Sequence, residues 1–130
     1  MCYYLLTKLN GDNMQKIETV TIDKTARNFI DVLKQVEFSV ASATARKIEV
    51  LKIACDPENT LSSVVLTSLH RAVRKCKKME KIDFFIFGEN FFSGDAATDY
   101  LLGRAEYAKD YEDFEKQNRN IVIVYISPKK

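Results

Sequence analysis

A chain of 130 residues has room for one ordinary domain, and its 46% hydrophobic, 11% aromatic and 29% charged residues fit a globular protein with its own core. The balance of 20 Lys and Arg against 18 Asp and Glu leaves +2, too even for bulk charge to draw the chain to nucleic acid or to a membrane surface. No run approaches the roughly 18 apolar residues of a membrane span, and the opening MCYYLL reaches Lys8 too soon for a secretory signal. Cys2, Cys55 and Cys76 are widely spaced and form no CxxC or Cys/His cluster, so a reduced, cytoplasmic compartment is expected, with no metal and no cofactor.

In chain order, Tyr3–Lys8 and Ile17–Ile22 are strand-like, and the turn-prone Asn10-Gly11-Asp12-Asn13 between them predicts a β-hairpin. Asp23 or Thr25 then caps a helix in which Ala26, Phe29, Ile30, Leu33 and Val36 recur at three-and-four spacing. The small, hydroxylated stretch from Phe38 to Lys47 has no clean period and reads as an irregular connector or weak helical extension.

Ile48–Ala54, Ile82–Phe87 and Ile121–Ile126 are short apolar runs separated by long helical segments, the pattern of an α/β fold. FFIF and IVIVYI are apolar on both faces, as interior strands of a parallel sheet are. Between the first two runs, Val65, Leu66, Leu69, Ala72, Val73, Cys76 and Met79 form a helical stripe, started by Asn59 or Ser62. Tyr100, Leu101, Tyr107, Ala108, Tyr111 and Phe114 form another between the last two. The expected architecture is a single α/β domain over 1–130: an N-terminal hairpin and helix (1–46), then β-α-β-α-β (47–127) with a mainly parallel sheet covered by helices.

Candidate chemistry is sparse. Arg71, Arg74, Lys75, Lys77 and Lys78 crowd the end of one helix, where the carbonyl pole favours cations; a solvated face, or pairing with Asp99, Glu106, Asp110, Glu112, Asp113 and Glu115 of the next helix, explains them more simply than phosphate binding. His70, the sole histidine, borders an apolar stripe and reads as an interfacial residue rather than a general base. Asp95 and Asp99 stand four apart, either as an acid/base pair or as first-turn acids of a helix.

The segment Gly88-Glu89-Asn90-Phe91-Phe92-Ser93-Gly94-Asp95 follows an interior strand and precedes a helix, the place where α/β sheets bind ligands. Free N–H groups at the helix start suit an anion or oxyanion, and Phe92, Ser93, Gly94, Asp95 and Ala96 are the candidate ligand-binding residues. A structural turn, with Phe91 or Phe92 tucked into the core, is the alternative.

In order, Pro57-Glu58, Asn59-Thr60-Leu61-Ser62, Gly88 and Phe92-Ser93-Gly94-Asp95 resemble the first α/β unit of the crotonase (enoyl-CoA hydratase and isomerase) superfamily, over residues 47 to 127. The resemblance implies binding of an acyl-CoA or acyl-carrier thioester, its oxyanion held by an N–H at Ser93 or Gly94. The loop is one residue shorter than the family's Phe-Ser-x-Gly-x-Asp, and the family's second donor, in a Gly-Gly-Gly helix start, would follow IVIVYI. It therefore implies a thioester binder, incomplete or non-catalytic on its own. Leu102-Gly103-Arg104, Ile126-Ser127-Pro128 and the element order are also similar to STAS-type regulatory domains, though without their Asp-Ser-Ser-Gly loop. That resemblance implies a protein-interaction module switched by phosphorylation of a loop serine, here Ser93. The expected partner is a thioester ligand or another protein, and a homo-oligomer is expected.

Overall fold

The computed structural model describes residues 17–126, so the expected strand Tyr3–Lys8 lies outside the described residues. The elements are β1 (Ile17–Ile22), α1 (Phe29–Ala45), β2 (Val50–Cys55), α2 (Ser62–Lys78), β3 (Phe84–Phe87), α3 (Ala96–Arg104) and β4 (Ile121–Tyr125). The four strands form one sheet in the order β1-β2-β4-β3. β1 runs parallel to β2, while β4 lies between β2 and β3 and is antiparallel to both.

The mixed sheet corrects the expectation of a mainly parallel one, and helix length explains the difference. α1 and α2 each have 17 residues, about 26 Å of rise, enough to carry the chain once along the sheet and into a parallel strand. α3 has nine residues and makes only half of its excursion. It descends beside β3, where Tyr100 packs edge-on against Phe84 at 5.1 Å. The chain then passes Glu49 at Tyr107, climbs past Thr19 and Lys52 at Tyr111 and Asp113, and reaches Phe91 at Glu115. It re-enters at the end of the sheet it left, so β4 must run opposite to β3.

Alternation along each strand divides the core. Val20, Ile22, Leu51, Ile53, Val122, Val124, Phe85 and Phe87 face α1 and α2, whereas Ile17, Val50, Ala54, Ile86, Ile121, Ile123 and Tyr125 face α3 and the chain around it. β1 and α1 share this sheet and core with the later elements.

The stretch from Phe38 to Ala45 takes the helical alternative rather than the connector, because buried Ser39, Val40 and Ala43 continue the stripe of Val32 and Val36. The α1 cap is Asn28, whose side chain accepts from the Asp31 N–H, rather than Asp23 or Thr25. Ile30, expected on the buried face, is exposed. Leu61 precedes α2 with no side-chain cap. Asn59 instead accepts from the Leu61 N–H and donates to the Ala26 carbonyl, pinning the β1–α1 turn to the β2–α2 turn. The second expected stripe is divided: α3 ends at Arg104, Glu106–Asp110 is a 3-10 turn, and Tyr111 and Phe114 lie on irregular chain.

Candidate functional site

The loop between β3 and α3 stands at the carboxyl end of β3. Phe91, not Phe92, plugs the core and meets Phe114 edge-on at 5.3 Å. Phe92 is half-buried, Ser93, Gly94 and Ala96 are exposed, and Gly94 has φ +107, a conformation that favours glycine. Asp95 caps α3, accepting from the Thr98 N–H at 3.0 Å, and Asp99 reaches back to accept from the Gly94 N–H at 3.1 Å. The two carboxylates thus serve the helix start individually. The Asp95 N–H donates to the Phe92 carbonyl, while the Ser93 N–H has no partner among the described residues. Of the two alternative oxyanion donors, one is engaged internally and the other stands alone.

The space beside this loop is filled by the returning chain. A Cβ on Gly88 would lie 2.0 Å from the Asn118 carbonyl oxygen and 2.5 Å from Ile121 Cγ1, so the backbone approach requires glycine. The Glu115 N–H donates to the Phe91 carbonyl at 2.8 Å, and the Cys55 N–H donates to the Asn120 carbonyl at 3.2 Å. The crevice where doubly wound sheets place ligands is occupied here by residues 115–121.

On the α3 face, Lys52 is the one charge in VLKIAC, and its ammonium donates to Asp113, with both side chains about nine-tenths buried. Asn118 donates to the other Asp113 oxygen at 3.1 Å, and the Tyr111 ring lies 5.0 Å from Nζ. Burial pulls the Lys52 pKa down, but the Asp113 bond and neighbouring Tyr111 outweigh it, so the net shift is upward. A more firmly protonated lysine is a poor nucleophile and a good tie. Tyr107 donates to Glu49 at 2.6 Å, and burial followed by that bond holds its hydroxyl protonated well above the usual tyrosine range. Sequence reasoning missed the Lys52–Asp113 pair. Its signal was a lone cation in an otherwise apolar strand, which needs a buried partner.

His70 stacks on Phe87 with ring centroids 4.0 Å apart. Its Nε2 is buried without a hydrogen-bond partner among the described residues, and burial, then nearby Arg74, lowers its pKa, as suits a neutral interfacial ring. Burial pushes the Cys55 thiol up to about 11 and also raises the Cys76 thiol, so neither is an activated nucleophile. No group of three or more potential metal ligands occurs among the described residues. No described helix is long and apolar enough to cross a membrane.

Pairing of the α2 cations with the acids of the following segment is corrected, because α2 and α3 lie on opposite faces of the sheet. Glu106 meets Lys109, while Glu112 and Asp113 meet Lys52. Arg71, Arg74, Lys75, Lys77 and Lys78 have no carboxylate in ion-pair range among the described residues. Arg71 stacks on Phe29 at 4.1 Å and Arg74 lies over Phe87 at 5.3 Å.

This arrangement makes the end strand β3 chemically distinctive. Phe84, Phe85 and Phe87 are partly buried. Tyr100 and Arg104 stack on the α3 side, with the guanidinium 4.1 Å from the ring, while His70 and Arg74 flank Phe87 on the α2 side. Beyond β3 no further described strand continues the sheet.

Comparison with known proteins places no neighbour beside this arrangement: no family model, curated protein or solved structure matches the chain.

Proposed function

We propose that this chain is a regulatory protein-interaction module that docks an extended, acidic segment of a partner protein along the β3 edge. The observation that carries this reading is the edge strand itself: partly buried phenylalanines flanked by guanidiniums that stack on aromatic rings and have no carboxylate in ion-pair range among the described residues. Aromatic and arginine side chains are enriched at interfaces, and an open edge supplies backbone donors and acceptors to an added strand. Alternate apolar residues of the partner pack against Phe85 and Phe87, and its carboxylates meet Arg74 and Arg104. Ser93, exposed on the loop leaving β3, is the regulatory position. A phosphate there would confront Asp95 and Asp99, loosen the start of α3 and shift Tyr100 against Phe84.

Selection from randomised peptides, followed by NMR titration, tests the reading. It expects ligands alternating apolar and acidic residues that shift β3 resonances, bind at least tenfold more weakly to Arg74→Glu/Arg104→Glu, about 1.4 kcal/mol, and respond to Ser93→Asp. Selection of no such ligand, or of ligands that leave β3 unshifted, overturns it. Acyl-CoA titrated in parallel should leave residues 90–99 unshifted; saturable shifts confined there would favour the acyl-thioester reading instead.

A further inference from the structure

The even charge of the whole chain conceals a sorting by face. α1 and α2 together carry Lys34, Arg71, Arg74, Lys75, Lys77 and Lys78 against two acids, Asp31 and Glu37. Both acids are engaged: Glu37 meets Lys81 at 3.6 Å, and Asp31 accepts from the Arg27 N–H at 2.9 Å. Glu80 lies past the last turn of α2. On the other side of the sheet, residues 88–120 hold eight acids against four bases.

The two long helices lie side by side and run the same way, since Arg71 stacks on Phe29 and, further along both, Lys81 reaches Glu37. Their outer surface is apolar as well as cationic. On α1, Ile30, Lys34 and Phe38 recur at four-residue spacing, all exposed and opposite buried Val32, Val36 and Ala43. On α2, exposed Val64, Thr67, Arg71, Lys75 and Lys78 line the side away from buried Val65, Leu69, Val73 and Cys76. Of the five large apolar side chains exposed among the described residues, Ile30, Phe38, Val64 and Met79 belong to α1, α2 or the α2 cap; only Tyr100 belongs to α3.

We propose that this outer α1/α2 surface docks on an anionic lipid bilayer, with Lys34, Arg71, Lys75 and Lys78 at the headgroups and Ile30, Phe38 and Val64 entering the acyl boundary. A phosphate polymer would use the cations and leave the apolar side chains in water. A bilayer interface accommodates both at once. Two helices of about 26 Å, side by side, lie flat on such a surface, and the acidic layer across the sheet is turned away from its negative charge.

The chain has no tryptophan, so Val64→Trp sets a unique fluorophore on this surface. With vesicles of phosphatidylcholine and phosphatidylserine at about three to one, its emission should shift blue and the protein should sediment with the lipid. With phosphatidylcholine alone it should do neither, and added salt should release it. Arg71→Glu/Lys75→Glu/Lys78→Glu should weaken vesicle binding at least tenfold, and Ile30→Ser/Val64→Ser severalfold. Val64→Trp in the otherwise intact chain keeps the test decisive if either set destabilises the fold. No blue shift or sedimentation with the anionic vesicles, or equal binding to neutral ones, overturns the proposal. Binding indifferent to Ile30→Ser/Val64→Ser also overturns it, assigning the cations to a phosphate polymer. Peptides selected on the β3 edge should bind the triple Glu variant as they bind the unsubstituted chain, so this proposal and that one fail separately.

Discussion

One sheet carries two faces of different construction. On one, α1 and α2 lay parallel apolar stripes over Leu51, Ile53, Val122 and Val124, and the charged side chains remain at the rim. On the other, a nine-residue helix, a 3-10 turn and irregular chain cover Val50, Ile86, Ile123 and Tyr125, with three polar ties: Tyr111 to Thr19, Lys52 to Asp113 and Tyr107 to Glu49. Regular helices bury enough continuous apolar surface that their ties, Arg46 to Glu18 and Asn59 to Ala26, sit only at the ends of the elements. A segment without that periodicity has to be anchored at points, and each anchor requires a polar group in the sheet or beside it.

The largest expected effect comes from cutting one anchor. Lys52→Met leaves Asp113 buried without its cation and should lower stability by about 3–5 kcal/mol in urea unfolding, whereas Lys52→Met/Asp113→Leu should recover part of that loss. An uncoupled, additive result would show that the pair is not what holds the irregular face. Gly88→Ala should cost about 3 kcal/mol, because its methyl would meet the Asn118 backbone rather than a side chain that can turn away. Hydrogen exchange in that variant should rise first over residues 111–120 and only later in α1 and α2; uniform acceleration would contradict the contrast between faces. Tyr107→Phe should cost roughly 1 kcal/mol and leave α2 exchange unchanged.

The last effect is a pH slope, absent at neutral pH. With its thiol raised from 9.0 to about 11 by burial, Cys55 keeps its proton in the folded state where the unfolded chain has lost it. Stability should therefore fall as pH climbs through that window. Tyr107 and Lys52, also shifted upward, extend the decline at higher pH. Thermal melts of Cys55→Ala should be flatter between about pH 9 and 11 than those of the unsubstituted chain, with the difference vanishing at neutral pH.

What the sequence disclosed follows the same division. α2 and the runs that became β1 to β4 were legible because their apolar residues are large and continuous. The second half of α1 was not, since it is buried through Ser39 and Ala43, residues whose small size serves close approach and gives little hydrophobic signal. The direction of β4 was illegible because IVIVYI is apolar on both faces whichever way it runs. Tyr107, Tyr111 and Phe114 looked like a helical stripe because burial against a sheet leaves an apolar record even when the backbone is irregular. At the candidate loop, a helix start near Asp95 was readable from local sequence, but Asp99 accepting from Gly94 was not, because a carboxylate's target depends on how the turn folds back. The β3 edge escaped notice because FFIF reads as an interior strand, and only the pairing order shows that it ends the sheet.

Phe87 pairs directly with Val122 across adjacent antiparallel strands. Everything from Gly88 to Asn120 is therefore topologically an insertion at the tip of a hairpin, one that a tight turn could replace without rerouting any other strand. Such a cassette can diverge in length and chemistry while its frame stays constant, provided that each version still shields Ile86, Ile123 and Tyr125 from water.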